Sequence, residues 1–194
     1  MEIRNSKDMI KKYIIYSFFV LAFLERTLFD LGPNIELITL ALVVSTFYIN
    51  KKTAFILTLA TIALSDIILG NTNIFIFTWT GFLIPIVFLN VFKKLKASVF
   101  LGTLTGVSAN IFFFIWTNFG VWALDSWGMY PNTLQGLVQS YINGLPFLRY
   151  QLISTLIFVP LGLLLLDTQL QKIFNRVKLL FRTTNFAIPR VSSH

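Results

Sequence analysis

Residues 35–52 read IELITLALVVSTFYINKK, an apolar run from Ile35 to Ile49 that stops at Asn50 and a pair of lysines. Polarity along the run does not alternate every second residue, which excludes a strand of a membrane barrel. It reads as an apolar helix, opened by the turn residues Gly32-Pro33-Asn34 and closed by Asn50-Lys51-Lys52. About 20 helical residues cross the hydrocarbon of a bilayer, so this is a short span. Working outward, similar apolar stretches cover roughly residues 13–31, 53–70, 74–92, 97–122 and 146–167. The expectation is an all-α integral membrane bundle of six helices in a single domain, without internal repeats or linkers.

The cations orient that bundle. Of the 16 Lys and Arg residues, all but Arg26 and Arg149 fall on alternate gaps between the stretches. Arg4, Lys7, Lys11 and Lys12 precede the first stretch, Lys51 and Lys52 follow the second, and Lys93, Lys94 and Lys96 follow the fourth. The tail, residues 168–194, carries Lys172, Arg176, Lys178, Arg182 and Arg190. Cationic loops resist translocation, so these gaps and both termini are expected on the cytoplasmic side of the cell membrane. The first stretch follows basic residues as a signal peptide would. It lacks a small-residue cleavage site before Leu24-Glu25-Arg26, and is expected to stay as an uncleaved span.

Composition agrees. Apolar residues make up 56% of the chain and charged residues 12%, with 21 Phe, which leaves too little polar surface for a soluble domain. The net charge of +8 sits at span ends and forms no stripe with interleaved aromatics, so it points to lipid headgroups and away from nucleic acid. The chain has no Cys, and its one His is His194, which argues against disulfides, thiolate chemistry and a transition-metal site. No cofactor is implied, and no Walker sequence, nucleophile elbow or metal cluster points to an enzyme.

Two amphipathic stretches lie off the spans. Leu134, Leu137, Val138, Tyr141, Ile142 and Leu145 share a helical face. Asn132 or Thr133 would cap this outer loop helix and Gly144-Pro146 would end it. Leu170, Ile173, Phe174, Val177 and Phe181 face one side of a basic C-terminal helix expected to lie on the cytoplasmic leaflet. In the fifth stretch Ser98, Gly102, Gly106 and Asn110 recur every four residues. That small-residue face fits close helix packing, either inside the bundle or against another membrane protein.

Polar residues inside apolar stretches need partners, water or a task. Measured from the cytoplasmic end of each span, Glu25, Glu36, Asp66 and Asn110 come out about 20 Å up and Arg149 about 25 Å. A bundle would gather them in its outer half, either as an ion-pair network or around a cavity open to the outside. Aromatic and amide residues crowd the same level. They include Trp116-Thr117-Asn118-Phe119-Gly120-Val121-Trp122, then Trp127, Tyr130, Asn132, Gln135 and Gln139, with Asn71 and Trp79 nearby. In the cavity reading Arg26 and Arg149 hold anionic groups, Asn110, Asn118 and Asn143 donate hydrogen bonds, and Trp116, Trp122 and Tyr130 stack. Glu25, Asn34, Glu36 and Asp66 complete the candidate set.

Six spans, a short second span and an outer helix before the sixth resemble the substrate-binding S components of energy-coupling factor transporters. Gly32-Pro33-Asn34-Ile35-Glu36, the Thr-Asn-x3-Trp stretch ending at Trp122, and Tyr130-Pro131-Asn132-Thr133-Leu134-Gln135-Gly136-Leu137 look more specifically like a family of uncharacterised transport proteins allied to them. The resemblance covers most of residues 13–167. It implies a small-molecule-binding membrane subunit, with a vitamin-like or nucleobase-like ligand arriving from outside. It also implies a transmembrane coupling subunit with two ATPases as partners. One departure concerns the first helix. In place of the usual Ala-x3-Ala docking face it offers Ser17 with Leu21 and Phe18 with Ala22, leaving the Gly102/Gly106 face as a substitute. The competing expectations are a structural or assembly membrane protein with no solute, and a lipid-modifying enzyme that uses Glu36 and Asp66.

Overall fold

A computed structural model describes residues 2–29, 31–32, 34–71, 73–89, 98–125 and 127–167. Their architecture is all-α, with helices α1 (Glu2–Leu24), α2 (Ile38–Tyr48), α3 (Lys51–Leu69), α4 (Phe75–Leu89), α5 (Val99–Leu124) and α6 (Leu134–Asp167). A π-helical turn, Glu25–Phe29, continues α1. The basic amphipathic helix expected in the tail, and Lys93, Lys94 and Lys96, lie outside the described residues.

Local chemistry sets the helix ends. The Asn50 side chain accepts a hydrogen bond from the Thr53 amide at 2.8 Å, and α3 stops at Gly70 in the left-handed region (φ 69°). Ser98 caps α5 by accepting from the Leu101 amide at 3.1 Å. Of the two candidates for the start of α6, Thr133 is the cap: its hydroxyl accepts from the Gly136 amide at 3.2 Å.

The sequence placed a separate outer helix before the sixth stretch, broken at Gly144-Pro146. The structure instead runs α6 unbroken through 34 residues. Pro146 removes a single backbone donor, too little to end a long helix that is packed along its length. Gly144 is there for closeness and not for a cap, because a β-carbon at this position would overlap the Asn118 carboxamide of α5.

The short helix α2 is the centre of the bundle. Every residue from Ile38 to Thr46 is buried, as expected of a helix that is apolar all round. It packs against α1, α3, α5 and α6, while α5 against α6 is the largest interface. The small face of α5 lies inside that assembly. A β-carbon on Gly102 would overlap Leu163, and one on Gly106 would come within 2.7 Å of the Thr155 methyl. The Gly102/Gly106 face is therefore filled by α6 and α2 and cannot dock another protein.

Asn110 belongs to the same seam. Its Oδ1 accepts from the Thr39 hydroxyl at 3.0 Å. Its Nδ2 donates to the Gln151 carbonyl at 3.1 Å and to the Thr155 hydroxyl at 2.6 Å. One buried amide thus joins α2, α5 and α6 by the interhelical bonds common where the surroundings are apolar.

Polarity is inverted relative to a soluble domain. The interior holds Thr39, Ser45, Thr58, Ser65, Thr105 and Thr155, while Leu28, Ile67, Phe100 and Leu134 stand on the outside, each 67–78% exposed. Water-soluble surfaces do not carry large apolar side chains in such numbers. Three helices, Lys51–Leu69, Val99–Leu124 and Leu134–Leu166, are long and apolar enough to cross a membrane, and α2 and α4 are shorter apolar helices.

Gly106→Val should lower stability by about 1–3 kcal/mol through overpacking against Thr155 and Val43. Leu104→Val, at an exposed site on the same helix, should change it by less than roughly 0.5 kcal/mol. Thermal unfolding in detergent measures both.

Candidate functional site

The π-helical turn at the end of α1 sets two charged neighbours in different environments. Glu25 is buried and its Oε2 accepts from the Leu37 amide at 3.4 Å, at the entrance to α2. Arg26 turns toward α3. Its Nε donates to the Ser65 hydroxyl at 2.9 Å, its Nη1 to Glu36 Oε1 at 3.1 Å and its Nη2 to Asp66 Oδ1 at 2.8 Å. Asp66 Oδ2 accepts in turn from the Trp79 indole at 2.9 Å, and the Ser154 hydroxyl donates to the Glu36 carbonyl at 3.0 Å. One guanidinium thereby links α1, the 31–37 connection and α3 directly, and α4 and α6 through one further bond. Glu36 Oε2 is buried without a hydrogen-bond partner among the described residues.

Beside this network lies a cavity of about 470 Å³, a volume suited to a small molecule. Arg26, Asn34, Glu36 and Asn71 form its polar wall. Phe113, Phe114, Trp127, Tyr130 and Phe147 supply aromatic lining, and Asn118, Asn143 and Gln151 add amides. Arg26 is the only cationic residue among the described lining.

The strap before α6 shapes the mouth. Asp125 (φ 44°) and Gly128 (φ 62°) turn the chain, so that Trp127, Met129 and Tyr130 reach the cavity. Asn143 Nδ2 donates to the Tyr130 hydroxyl at 3.1 Å, and Asn143 Oδ1 accepts from Gln139 at 2.8 Å. The Trp122 indole reaches across to the carbonyls of Pro131 and Thr133, at 3.2 and 3.1 Å. Gly136 is required here, since a β-carbon would overlap the Pro131 carbonyl. The two most distinctive sequence stretches thus dock on one another, one supplying a wall and the other the strap.

Of the twelve candidate binding residues, Arg26, Asn34, Glu36, Asn118, Tyr130 and Asn143 line the cavity. Asp66 stands behind Arg26, and Glu25 serves the start of α2. Asn110 is consumed in helix packing. Trp116 donates to the Thr80 hydroxyl at 2.8 Å and stacks with Phe112 and Phe119, in an aromatic seam that joins α4 to α5. Trp122 clasps the strap. Arg149 is exposed, lies outside the cavity lining and forms no ion pair among the described residues.

Several lining residues carried no distinguishing signal. Phe113, Phe114 and Phe147 are ordinary apolar residues in a Phe-rich chain. Gln151 had one: with Asn143 and Phe147 it recurs every four residues, which marks a single face of α6.

The fold and cavity define a class: an all-α bundle with an apolar exterior and a ligand-sized cavity with polar and aromatic lining. Within that class, the chain belongs to a family of unknown function (DUF6580), whose model matches residues 6–172. No curated protein and no solved structure shows a significant match to it.

Removing one partner of a buried ion network leaves the others unmatched. Arg26→Ala should therefore cost about 3–5 kcal/mol in stability. Combining Arg26→Met with Glu36→Gln and Asp66→Asn should restore most of it. Thermal unfolding of the single and triple variants in detergent decides.

Proposed function

We propose that this protein is a multi-pass membrane subunit that binds a small, flat organic solute arriving from outside the cell, as the resemblance to S components implies. All six helices lie in the cell membrane with both termini cytoplasmic. The observation that carries the reading is the position of the cavity. Its lining includes the π-helical turn after α1, the 31–37 connection, the α3–α4 turn and the strap before α6, which lie at the gaps without cationic clusters, together with the parts of α5 and α6 next to that strap. By the charge rule those gaps face outward.

The lining also suits the task. Aromatic faces give apolar contact at little entropic cost, and a few directed amides select orientation. The Arg26 network supports a second reading, a structural or assembly protein whose buried charges are simply closed on one another. Glu36 and Asp66 are both tied to Arg26, which gives little support to their use as an acid–base pair. If a coupling subunit with two ATPases drives uptake, it docks on a surface other than the filled Gly102/Gly106 face.

Topology can be read by thiol labelling, because the chain has no Cys. A thiol at Asn71→Cys should react with an impermeant reagent added to intact cells, and one at Lys51→Cys only after lysis. The opposite pattern overturns the orientation. For the ligand, thermal-shift screening of vitamin-like and nucleobase-like compounds in detergent should yield a stabilising hit. Asn118→Ala and Phe147→Ala should each weaken its binding by about tenfold, roughly 1.4 kcal/mol, and Arg149→Ala should not weaken it. Recovery of a coupling subunit and two ATPases with the tagged protein would support uptake. A pure protein with no hit in the screen would favour the structural reading.

A further inference from the structure

The site's charge and its aromatic wall together bear on the kind of solute, an inference that rests on the ligand-binding reading above. Around the cavity the positive charge is already committed. The Arg26 guanidinium is bonded to both Glu36 and Asp66, so one cation faces two carboxylates. Glu25 adds a third carboxylate near Arg26, with its Oε2 at the amide end of α2, where a helix dipole favours negative charge. No Lys, His or second Arg is found among the described lining residues, and Arg149 lies outside. An anionic solute would find no unmatched cation. Counted as ionised, these groups leave a surplus of at least one negative charge, and Glu36, whose Oε2 is buried without a partner among the described residues, lines the cavity. A buried acceptor in that state is costly until a donor meets it. Glu36 is part of the lining, so a donor on a bound molecule can approach its carboxylate.

The aromatic part of the lining is made of Phe113, Phe114, Phe147, Trp127 and Tyr130. Aromatic faces attract cations, and do so most strongly away from water. A bare metal ion fits poorly, since no group of three or more potential metal-ligating side chains occurs among the described residues and most of the wall is carbon. We infer that the cavity takes an organic cation, a flat apolar body bearing a protonated amine or amidine, with the charged group at Glu36 and the body against the Phe and Tyr faces.

Three probes of nearly one shape separate the charge from the rest: benzamidinium, benzamide and benzoate. Their dissociation constants can be measured by ligand-observed NMR titration of the full chain in a non-ionic maltoside detergent. Benzamidinium should bind at least about tenfold more tightly than benzamide, with benzoate weakest. Glu36→Gln should weaken benzamidinium by about tenfold and leave benzamide within roughly twofold. If Glu36→Gln does not fold, Phe147→Leu replaces it, and should weaken benzamidinium several-fold more than benzamide. A preference for benzamide or benzoate, or equal loss of all probes on substitution, overturns the organic-cation assignment and leaves the cavity as a binding site. Absence of binding by all three, together with a silent thermal-shift screen, overturns the ligand-binding reading and this inference with it.

Discussion

A guanidinium buried among helices must be matched, and the bundle is arranged around the matching of Arg26. Its three donors reach Glu36, Ser65 and Asp66, which lie 10, 39 and 40 positions further along the chain. That single requirement fixes the end of α1 against α3, and through Asp66 to Trp79 it reaches α4. It also holds the 31–37 connection over the start of α2. The π-helical turn, Glu25–Phe29, carries both charged residues. It rotates Arg26 away from Glu25, so that one residue serves the network and its neighbour serves the helix end.

The remaining cohesion comes from small and hydroxyl-bearing residues. Where the exterior is as apolar as the core, burying carbon distinguishes little, and helices are held by closeness and by bonds between polar side chains. Gly102 and Gly106 bring α5 against Leu163 and Thr155, and Asn110 stitches the same seam to α2. The aromatic seam around Trp116 does the corresponding work between α4 and α5. A rigid α5 held from two sides carries Asn118 and Phe113 at fixed positions on the cavity wall.

Much of this was legible because it is local or one-dimensional. Thr133, one of two candidate caps, announces the start of α6, whereas Asn50 and Ser98, read as a stop and as part of a packing face, turn out to cap α3 and α5. The shortness of the second apolar run survives as an 11-residue helix. Counting rise along each span grouped Glu36 with Asp66, and the structure brings both to Arg26. Height says nothing of direction around the helix, which is why Asn110 and Arg149 were grouped with them. Asn110 faces the α2–α6 seam, whereas Asn118, turned by about 80° from it, faces the cavity. Arg149 points away altogether. The continuity of α6 was hidden for another reason. Gly144-Pro146 looks like a stop, and only the Asn118 side chain packed against Gly144 reveals what the glycine is for.

The length of α2 has a consequence for where a site can exist at all. At 1.5 Å per residue its 11 residues extend about 16 Å, while the 26 residues of α5 beside it extend about 39 Å. Thr39 near the start of α2 meets Asn110, and the cavity begins on α5 at Phe113, one turn further along. The cavity is therefore made by subtraction: it is the room left where the central helix stops short of its neighbours. Two or three more turns of α2 would give a more complete core and no site.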